Sequence, residues 1–179
     1  MSRSRRMRSA EPAERPSRDP TADLLAIQQL KARYAWFADS KYTAARARKP
    51  RAALDRAARG QANCFTTDAT WEGGRGFGQR LKGRRALFDF FRGGPWRFAL
   101  HYYVSPIIEV DGDRARGWWR LWQIGIPRRN RHAILFAAVT AEDYRRVGGH
   151  WLHSAVRFQR AQFLRPSEGG MLELMGRLS

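Results

Sequence analysis

The sequence predicts an α+β fold, a cone-shaped α+β barrel in which three N-terminal helices pack on a curved antiparallel sheet. Two observations predict it. Helical segments dominate the first half of the chain, and four long strand segments joined by tight turns fill the second half. Elements in this order place helices against one face of an antiparallel meander. A curved sheet closed by helices encloses an apolar cavity, which is a natural site for a small ligand.

Length and charge set the domain organisation. The 179 residues are enough for one domain with a real core. We assign residues 21–164 to that domain, 1–20 to a flexible basic tail and 165–179 to a C-terminal tail. The formal net charge is +18, with 34 Lys and Arg against 16 Asp and Glu. This charge is compatible with an anionic partner, either nucleic acid or a phosphate-bearing ligand, and also with a solvated surface that has no specific partner.

Several classes of protein are disfavoured by composition. Every apolar run in the sequence is much shorter than the stretch of about 18 residues that a membrane span needs. The Arg-rich N-terminus lacks the apolar centre of a secretory signal, so we expect a cytoplasmic protein. The single cysteine, Cys64, excludes an intramolecular disulfide framework and a thiolate metal cage. The basic residues are not interleaved with aromatics as in a known nucleic-acid module, which disfavours nucleic-acid binding.

The first helix is predicted from residue 22 to residue 40, with Thr21 as its N-cap. Two apolar stripes at helical spacing indicate a helix buried on more than one side. Asp39 directly follows the apolar run Trp36, Phe37 and Ala38. On a helical wheel it lies beside one stripe and off the other, so periodicity leaves open whether this carboxylate is solvated or turned inward.

The middle of the chain alternates helices and short strands. Pro50 predicts the start of a second helix, which Gly60 interrupts or ends. The segment "CFTTDATWEGG" predicts a short strand, and "RGFGQRLKG" a return strand. A third helix, "RRALFDFFRG", stops at a Gly-Gly-Pro sequence.

The second half of the chain is predicted as an antiparallel meander. The segments "RFALHYYVSPIIEV", "RARGWWRLWQIGI", "RHAILFAAVTAEDYRR" and "HWLHSAVRFQRAQF" each have the length of a long strand. The turns between them are "DGD", "PRRN" and "VGG".

This order of elements resembles the nuclear transport factor 2-like superfamily, and specifically its SnoaL-like branch. The resemblance lies in "AIQQLKARYAWFAD", "CFTTDATWEGG", "HYYVSPIIEVDGDRA" and "AAVTAEDYRRVGGHWLHSAVRF", and it covers roughly residues 24–163. Among enzymes of this branch, the sequence is similar to bile acid 7-alpha-dehydratases and hexachlorocyclohexane dehydrochlorinases, and more distantly to scytalone dehydratase.

The resemblance implies a set of site residues. Those enzymes use an Asp at the end of the first helix, matched by Asp39, and a His at the start of the third strand, matched by His101. The dehydratases have a Tyr five residues before the Asp, matched by Tyr34, where the dehydrochlorinases have a Lys. A late-strand Arg also contributes, and Arg157 is the nearest match. The departure at Tyr34 disfavours dehydrochlorination.

These residue types suit the removal of a proton from carbon. A carboxylate beside an imidazole fixes the tautomer and stabilises the imidazolium as it forms. We therefore expect His101 to abstract a proton next to a carbonyl, Asp39 to orient it and Tyr34 to assist the leaving oxygen, without a metal or organic cofactor. Tyr103 shares a strand face with His101 and is a candidate substrate-binding residue. Arg157, Trp71 and Trp122 are further candidates.

The sequence leaves alternatives to this interpretation. A strand histidine, a tyrosine on an apolar stripe and a strand arginine are each common as purely structural residues. The main hypothesis is a dehydratase-like lyase acting on a hydrophobic, polycyclic or CoA-linked carbonyl compound, with Arg46, Arg48, Lys49 and Arg51 as candidates to receive phosphates. The alternatives are an isomerase or cyclase of the same fold, or a non-catalytic ligand-binding or assembly protein. The superfamily often dimerises through its sheet, so we expect a homodimer or a higher homo-oligomer.

Overall fold

A computed structural model describes residues 19–74, 80–129, 132–167 and 172–175. The helices within these ranges are α1 (Pro20–Asp39), α2 (Arg51–Ala62) and α3 (Arg84–Gly93). The strands are β1 (Phe65–Glu72), β2 (Arg80–Lys82), β3 (Trp96–Asp111), β4 (Arg114–Pro127), β5 (Ile134–Val147), β6 (His150–Pro166) and β7 (Leu172–Met175). Up to β6 this is the predicted order of helices and strands.

The sheet is mixed rather than wholly antiparallel. Its order is β2-β1-β6-β5-β4-β3, with β7 pairing β6. The four long strands form the predicted antiparallel meander, but β1 lies parallel to β6. Strand β1 reaches the sheet from α2, so no hairpin turn fixes its direction relative to β6. The end strands β2 and β3 do not pair with each other, so the described strands form an open sheet rather than a closed barrel.

Helix α1 is capped and oriented differently from the sequence prediction. Its N-cap is Asp19, whose side chain accepts a hydrogen bond from the Thr21 backbone N at 2.9 Å. The stripe containing Ile27 and Tyr34 is buried. The second stripe faces solvent, since Trp36 is 72% exposed and its neighbours on that side are also exposed. The helix is therefore buried on one side only, and the prediction of burial on more sides is wrong.

The two predicted tails have different outcomes. Residues 1–18 of the predicted basic tail lie outside the described residues. At the other end, β6 continues to Pro166 and β7 pairs with it, with Phe163 opposite Met175 and Pro166 opposite Leu172. The predicted loose tail from residue 165 thus contains sheet structure in its described part.

The core lies between the three helices and the inner face of the sheet. Apolar side chains from α1, α2, α3, β1 and β6 form its larger part, including Ile27, Leu30, Ala58, Phe65, Leu87 and Trp151. A smaller part lies towards the other end of the long strands and includes Trp96, Leu121, Ile134, Phe136 and Phe163. None of the described helices has the length and apolar composition that crossing a membrane requires.

A cluster of buried polar residues lies within this core. Lys31 and Glu142 form an ion pair whose side chains are 2% and 0% exposed. Glu142 also accepts hydrogen bonds from Thr140 Oγ1 and Tyr144 OH, both at 2.6 Å, and lies 3.2 Å from His153 Nδ1. Burial alone would raise the pKa of Glu142, but the Lys31 ammonium and His153 outweigh it and hold that pKa well below its usual range. Glu142 is therefore ionised inside the core.

Candidate functional site

Asp39 and His101 are in direct contact although 62 residues separate them in sequence. Asp39 Oδ1 lies 2.6 Å from His101 Nδ1, and Asp39 Oδ2 accepts a hydrogen bond from the His101 backbone N at 3.3 Å. Asp39 is the last residue of α1, and His101 lies in β3, which packs against that helix. Their side chains are 25% and 13% exposed. The carboxylate at the helix end is thus turned towards the sheet and occupies Nδ1, which leaves Nε2 of the imidazole for another partner.

His101 lines a small cavity between the helices and the sheet. The cavity has a volume of about 50 Å³. Its apolar walls are aromatic, with Trp71, Phe90, Phe91, Trp96 and Phe158. The polar side chains that reach it are Tyr34, Lys41, Tyr42, Gln61, His101, Tyr103 and Gln123. An apolar site with a few converging polar groups is typical of small-molecule pockets.

Tyr34 lies in this cavity, packed edge-on against neighbouring rings. Its ring centroid is 5.7 Å from that of Phe65 and 6.1 Å from that of Tyr103. Burial raises the pKa of Tyr34 well above its usual value, and a hydrogen bond with Gln61 only partly opposes this. The phenol is therefore protonated at neutral pH and available as a donor rather than as a base.

Tyr103 and Trp71, two of the predicted substrate-binding residues, also line the cavity. Tyr103 lies on the same face of β3 as His101, with the two rings nearly parallel at 5° and 6.4 Å apart. Trp71 projects from β1 and contacts Phe158, with ring centroids 5.3 Å apart. These two aromatics thus supply parts of the wall from two different strands.

Arg157 and Trp122, the other two residues predicted to bind substrate, do not line this cavity. Arg157 Nη1 donates to Asp143 Oδ2 at 2.9 Å on the other face of the sheet, and the next residue, Phe158, faces the cavity instead. Trp122 is 46% exposed on the outer face of β4, because its neighbour Gln123 points inward. In both strands the residue after the predicted one lines the cavity, namely Phe158 after Arg157 and Gln123 after Trp122.

Four polar residues of the cavity were not predicted from the sequence, namely Lys41, Tyr42, Gln61 and Gln123. Lys41 follows the end of α1 and is only 6% exposed. Its ammonium donates to Gln61 Oε1 at 3.0 Å and to the Phe91 backbone O at 3.2 Å. Gln123 lies directly opposite His101 in the register between β3 and β4. Periodicity could have found Gln123, because it alternates with Leu121 on the inner face, but Lys41 lies outside any periodic element.

Among the basic residues predicted to receive phosphates, Arg48 has a structural role. Its guanidinium donates to the Trp96 O at 3.2 Å and to the Arg92 O at 2.6 Å, which fixes the 41–50 segment against the end of α3. Arg46 and Arg51 are exposed and lie outside the cavity lining. Within the described ranges, His, Cys, Asp and Glu side chains do not gather in a group of three or more that could bind a metal ion.

A separate apolar groove also reaches His101. It has a volume of about 680 Å³ and lies between α1 and β3. Leu25, Ala32 and Ala35 line it from the helix, and Tyr102 and Val104 from the strand. His101 and Tyr103 belong to both linings, so they separate the groove from the small cavity.

Comparison with known families gives one match that covers most of the chain. Residues 46–157 match the family described as a SnoaL-like domain. The matched segment contains His101 but begins after α1, so it includes neither Asp39 nor Tyr34. No curated protein matches the chain in sequence.

Solved structures share the fold at low sequence identity. Hexachlorocyclohexane dehydrochlorinase LinA-type3 from Novosphingobium barchaimii LL02 is 20% identical, covering 87% of this chain and 92% of its own, with a TM-score of 0.62. A protein from Novosphingobium aromaticivorans DSM 12444, provisionally named scytalone dehydratase, is 15% identical over 79% of this chain and 87% of its own, with a TM-score of 0.62. A single-residue variant of Rv3472, a protein of unknown function from Mycobacterium tuberculosis, is 22% identical over 78% and 76%, with a TM-score of 0.61. At these identities the likeness establishes the fold.

Proposed function

The chain belongs to the SnoaL-like domain family, and on that premise we propose that it is a dehydratase-like lyase acting on a hydrophobic carbonyl compound. The observation that carries the proposal is the contact of His101 with Asp39 at the wall of an aromatic cavity. An imidazole held by a carboxylate is suited to remove a proton from carbon near neutral pH. The named enzymes among the fold neighbours, a dehydrochlorinase and a provisional dehydratase, support a lyase reaction.

In the proposed reaction, His101 Nε2 removes the proton next to the substrate carbonyl while Asp39 Oδ1 holds Nδ1. The C–H electron pair moves towards the carbonyl oxygen and gives an enolate. When the enolate electrons return, they form the new C=C bond and the C–O bond to the hydroxyl breaks. Tyr34 supplies a proton to the leaving hydroxyl, which departs as water, and the imidazolium returns its proton to the phenolate through the solvent. The raised pKa of Tyr34 keeps its hydroxyl protonated before the reaction. This scheme uses only side chains of the chain and solvent water.

The size of the cavity bears on the substrate. Pockets for drug-sized ligands have volumes of about 300–1,000 Å³, whereas this cavity has about 50 Å³. A polycyclic compound would require the aromatic walls, including Trp96 and Phe158, to move. The volume therefore favours a compact substrate, or a larger one of which only the reacting carbonyl portion enters the cavity.

A deuterium-exchange screen tests the proposal without knowledge of the substrate. Compact β-hydroxy ketones, aldehydes and thioesters are incubated with the protein in D₂O and followed by NMR and mass spectrometry. We expect exchange at the α-carbon and loss of water for at least one compound, and we expect His101→Ala to abolish both. His132→Ala is the matched control, because His132 is exposed in the turn before β5 and lies outside the cavity lining.

Each outcome of the screen discriminates between hypotheses. Exchange that depends on His101, without loss of water, would assign the chain as an isomerase or cyclase of the same fold. Turnover retained in His101→Ala would overturn the role of the imidazole. Binding without exchange for every compound class would favour a non-catalytic ligand-binding protein.

A further inference from the structure

We propose that Lys41 and Gln123 form an oxygen-binding end of the cavity, which holds the substrate carbonyl oxygen and stabilises it as it becomes an enolate. The inference rests on the proposed function in taking this cavity as the substrate site. It adds a charge requirement to that function, namely a substrate or intermediate with a negatively charged oxygen. Donors directed at developing charge inside a water-poor site are among the largest contributions to catalysis.

Lys41 carries a buried amino group with a pKa of about 7 and with spare hydrogen-bonding capacity. Two of its three N–H groups are used by the neutral acceptors Gln61 Oε1, at 3.0 Å, and Phe91 O, at 3.2 Å. Among the residues that the structure describes, no carboxylate lies within ion-pair distance of its Nζ. A buried cation without an anionic partner is costly. The third N–H and the unbalanced charge suit an anionic oxygen in the cavity.

Gln123 supplies a second donor beside the imidazole. It is 2% exposed and lies opposite His101 in the β3–β4 register, on the cavity face. Its Nε2 is buried and has no hydrogen-bond partner in the described part of the chain. A buried amide without a partner loses the free energy of its hydration, which a ligand oxygen would restore.

The surrounding charge supports an anion at this end of the cavity. Burial lowers the pKa of Lys41 to about 7, nearby Arg48 lowers it further, and Asp39 opposes both. Burial also lowers the pKa of Arg48, and the positive charge of Arg128 adds to that effect. Arg48 thus lies close enough to both Lys41 and Arg128 for positive charges to repel one another. A ligand anion would reduce their mutual repulsion and favour the charged form of Lys41.

Binding of 4-nitrophenol tests this inference directly, because its phenolate mimics an enolate oxygen and absorbs visible light. At a mildly acidic pH, at which the free probe is mainly the un-ionised phenol, the wild-type protein should bind it as phenolate and produce the visible band. Lys41→Met should weaken phenolate binding by at least about tenfold, and Gln123→Leu should weaken it less. Lys82→Met is the matched control, because Lys82 is exposed on β2, and it should leave binding unchanged.

The outcomes separate this inference from the proposed lyase function. His101→Ala should lose turnover but keep the phenolate band, because the oxygen-binding groups remain. The role of Lys41 is overturned if the wild-type protein gives no phenolate band. It is also overturned if Lys41→Met keeps the band while circular dichroism and unfolding show that this variant is folded. Neither result affects the role of His101. If Lys41→Met binds only the un-ionised phenol, with unchanged affinity, the inference is supported.

Discussion

Asp39 holds His101 at two points, since one carboxylate oxygen lies 2.6 Å from the ring Nδ1 and the other accepts the backbone N–H of the same residue at 3.3 Å. The carboxylate therefore fixes the strand and the imidazole together. A helix end and a sheet strand are joined at the residue that the proposed reaction uses as its base.

Replacing Asp39 with Asn tests the carboxylate itself. The amide keeps the size of the side chain but cannot stabilise an imidazolium, and it can reverse the tautomer at Nδ1. We expect kcat for the dehydration to fall by about 10²–10⁴-fold. Steady-state kinetics on the compound found in the screen would measure this, and thermal unfolding would establish that the fold is kept.

Asp68→Asn is the control for Asp39→Asn, because Asp68 is an exposed carboxylate in an ion pair with Arg145. It should leave kcat within about twofold of wild type, since exposed pairs contribute little. Equal losses in the two variants would show that carboxylate removal acts through stability rather than through His101.

The phenol of Tyr34 can be removed without disturbing its ring packing. Tyr34→Phe keeps the edge-on contacts with Phe65 and Tyr103 but loses the hydroxyl that hydrogen-bonds with Gln61. If the hydroxyl protonates the leaving group, kcat should fall by at least about tenfold. α-Proton exchange, measured by NMR, should persist, because His101 is unchanged. Loss of both activities to the same extent would contradict a separate role for the phenol.

The sequence predicted the order of the elements up to β6 because hydrophobic periodicity is local. It did not settle the direction of the Asp39 side chain, because Asp39 is the last residue of α1 and helical periodicity gives no orientation beyond that point. Only the tertiary contact of α1 with β3 turns that carboxylate towards His101. The family resemblance, which paired distant positions, supplied the information that periodicity lacked.

Irregular pairing decides which residues of β6 face the cavity. Strand β6 carries register irregularities against β5, between Ala137 and Val139 and between Asp143 and Tyr144, and Arg160 has a positive φ of 48°. An irregularity of this kind shifts the inward set by one residue. Alternation in the sequence does not locate the irregularity. It therefore could not show that Phe158 rather than Arg157 faces the cavity. Lys41 escaped prediction because its burial depends on the turn after α1.

The buried pair of Lys31 and Glu142 predicts a stability effect. Glu142→Gln leaves the Lys31 ammonium in the core without its anion, so we expect a loss of about 3–5 kcal/mol in the free energy of unfolding. The double variant Lys31→Met/Glu142→Gln removes both charges and keeps one oxygen acceptor, where Glu142 offers separate oxygens to Thr140 and Tyr144. It should recover at least half of the loss in urea denaturation. A double variant no more stable than the single one would contradict this account.

The pKa of Glu142 adds a pH dependence to that pair. Since its folded value lies below the unfolded one, its contribution is present above the usual carboxyl pKa and is lost as the pH falls through the folded value. The stability difference between wild type and Glu142→Gln should therefore shrink in acid. Urea denaturation at neutral and acidic pH would measure it, and a difference independent of pH would contradict the assignment.

Because the pKa of Lys41 is lowered in the folded protein, we expect the stability of the protein to rise with pH above about pH 7. Its pKa is about 7 in the folded protein, because burial disfavours the charge, and about 10.5 when unfolded. Below about pH 7 both states are protonated and the cost of burying the ammonium is constant. Above it the folded state releases the proton and the unfolded state keeps it, so the free energy of unfolding should rise by up to about 1.4 kcal/mol per pH unit. Lys41→Met lacks this slope, while the exposed Lys82→Met should keep it in urea denaturation between pH about 6 and about 9. Parallel pH profiles for wild type and Lys41→Met would show that Lys41 is not buried as an amine with a lowered pKa.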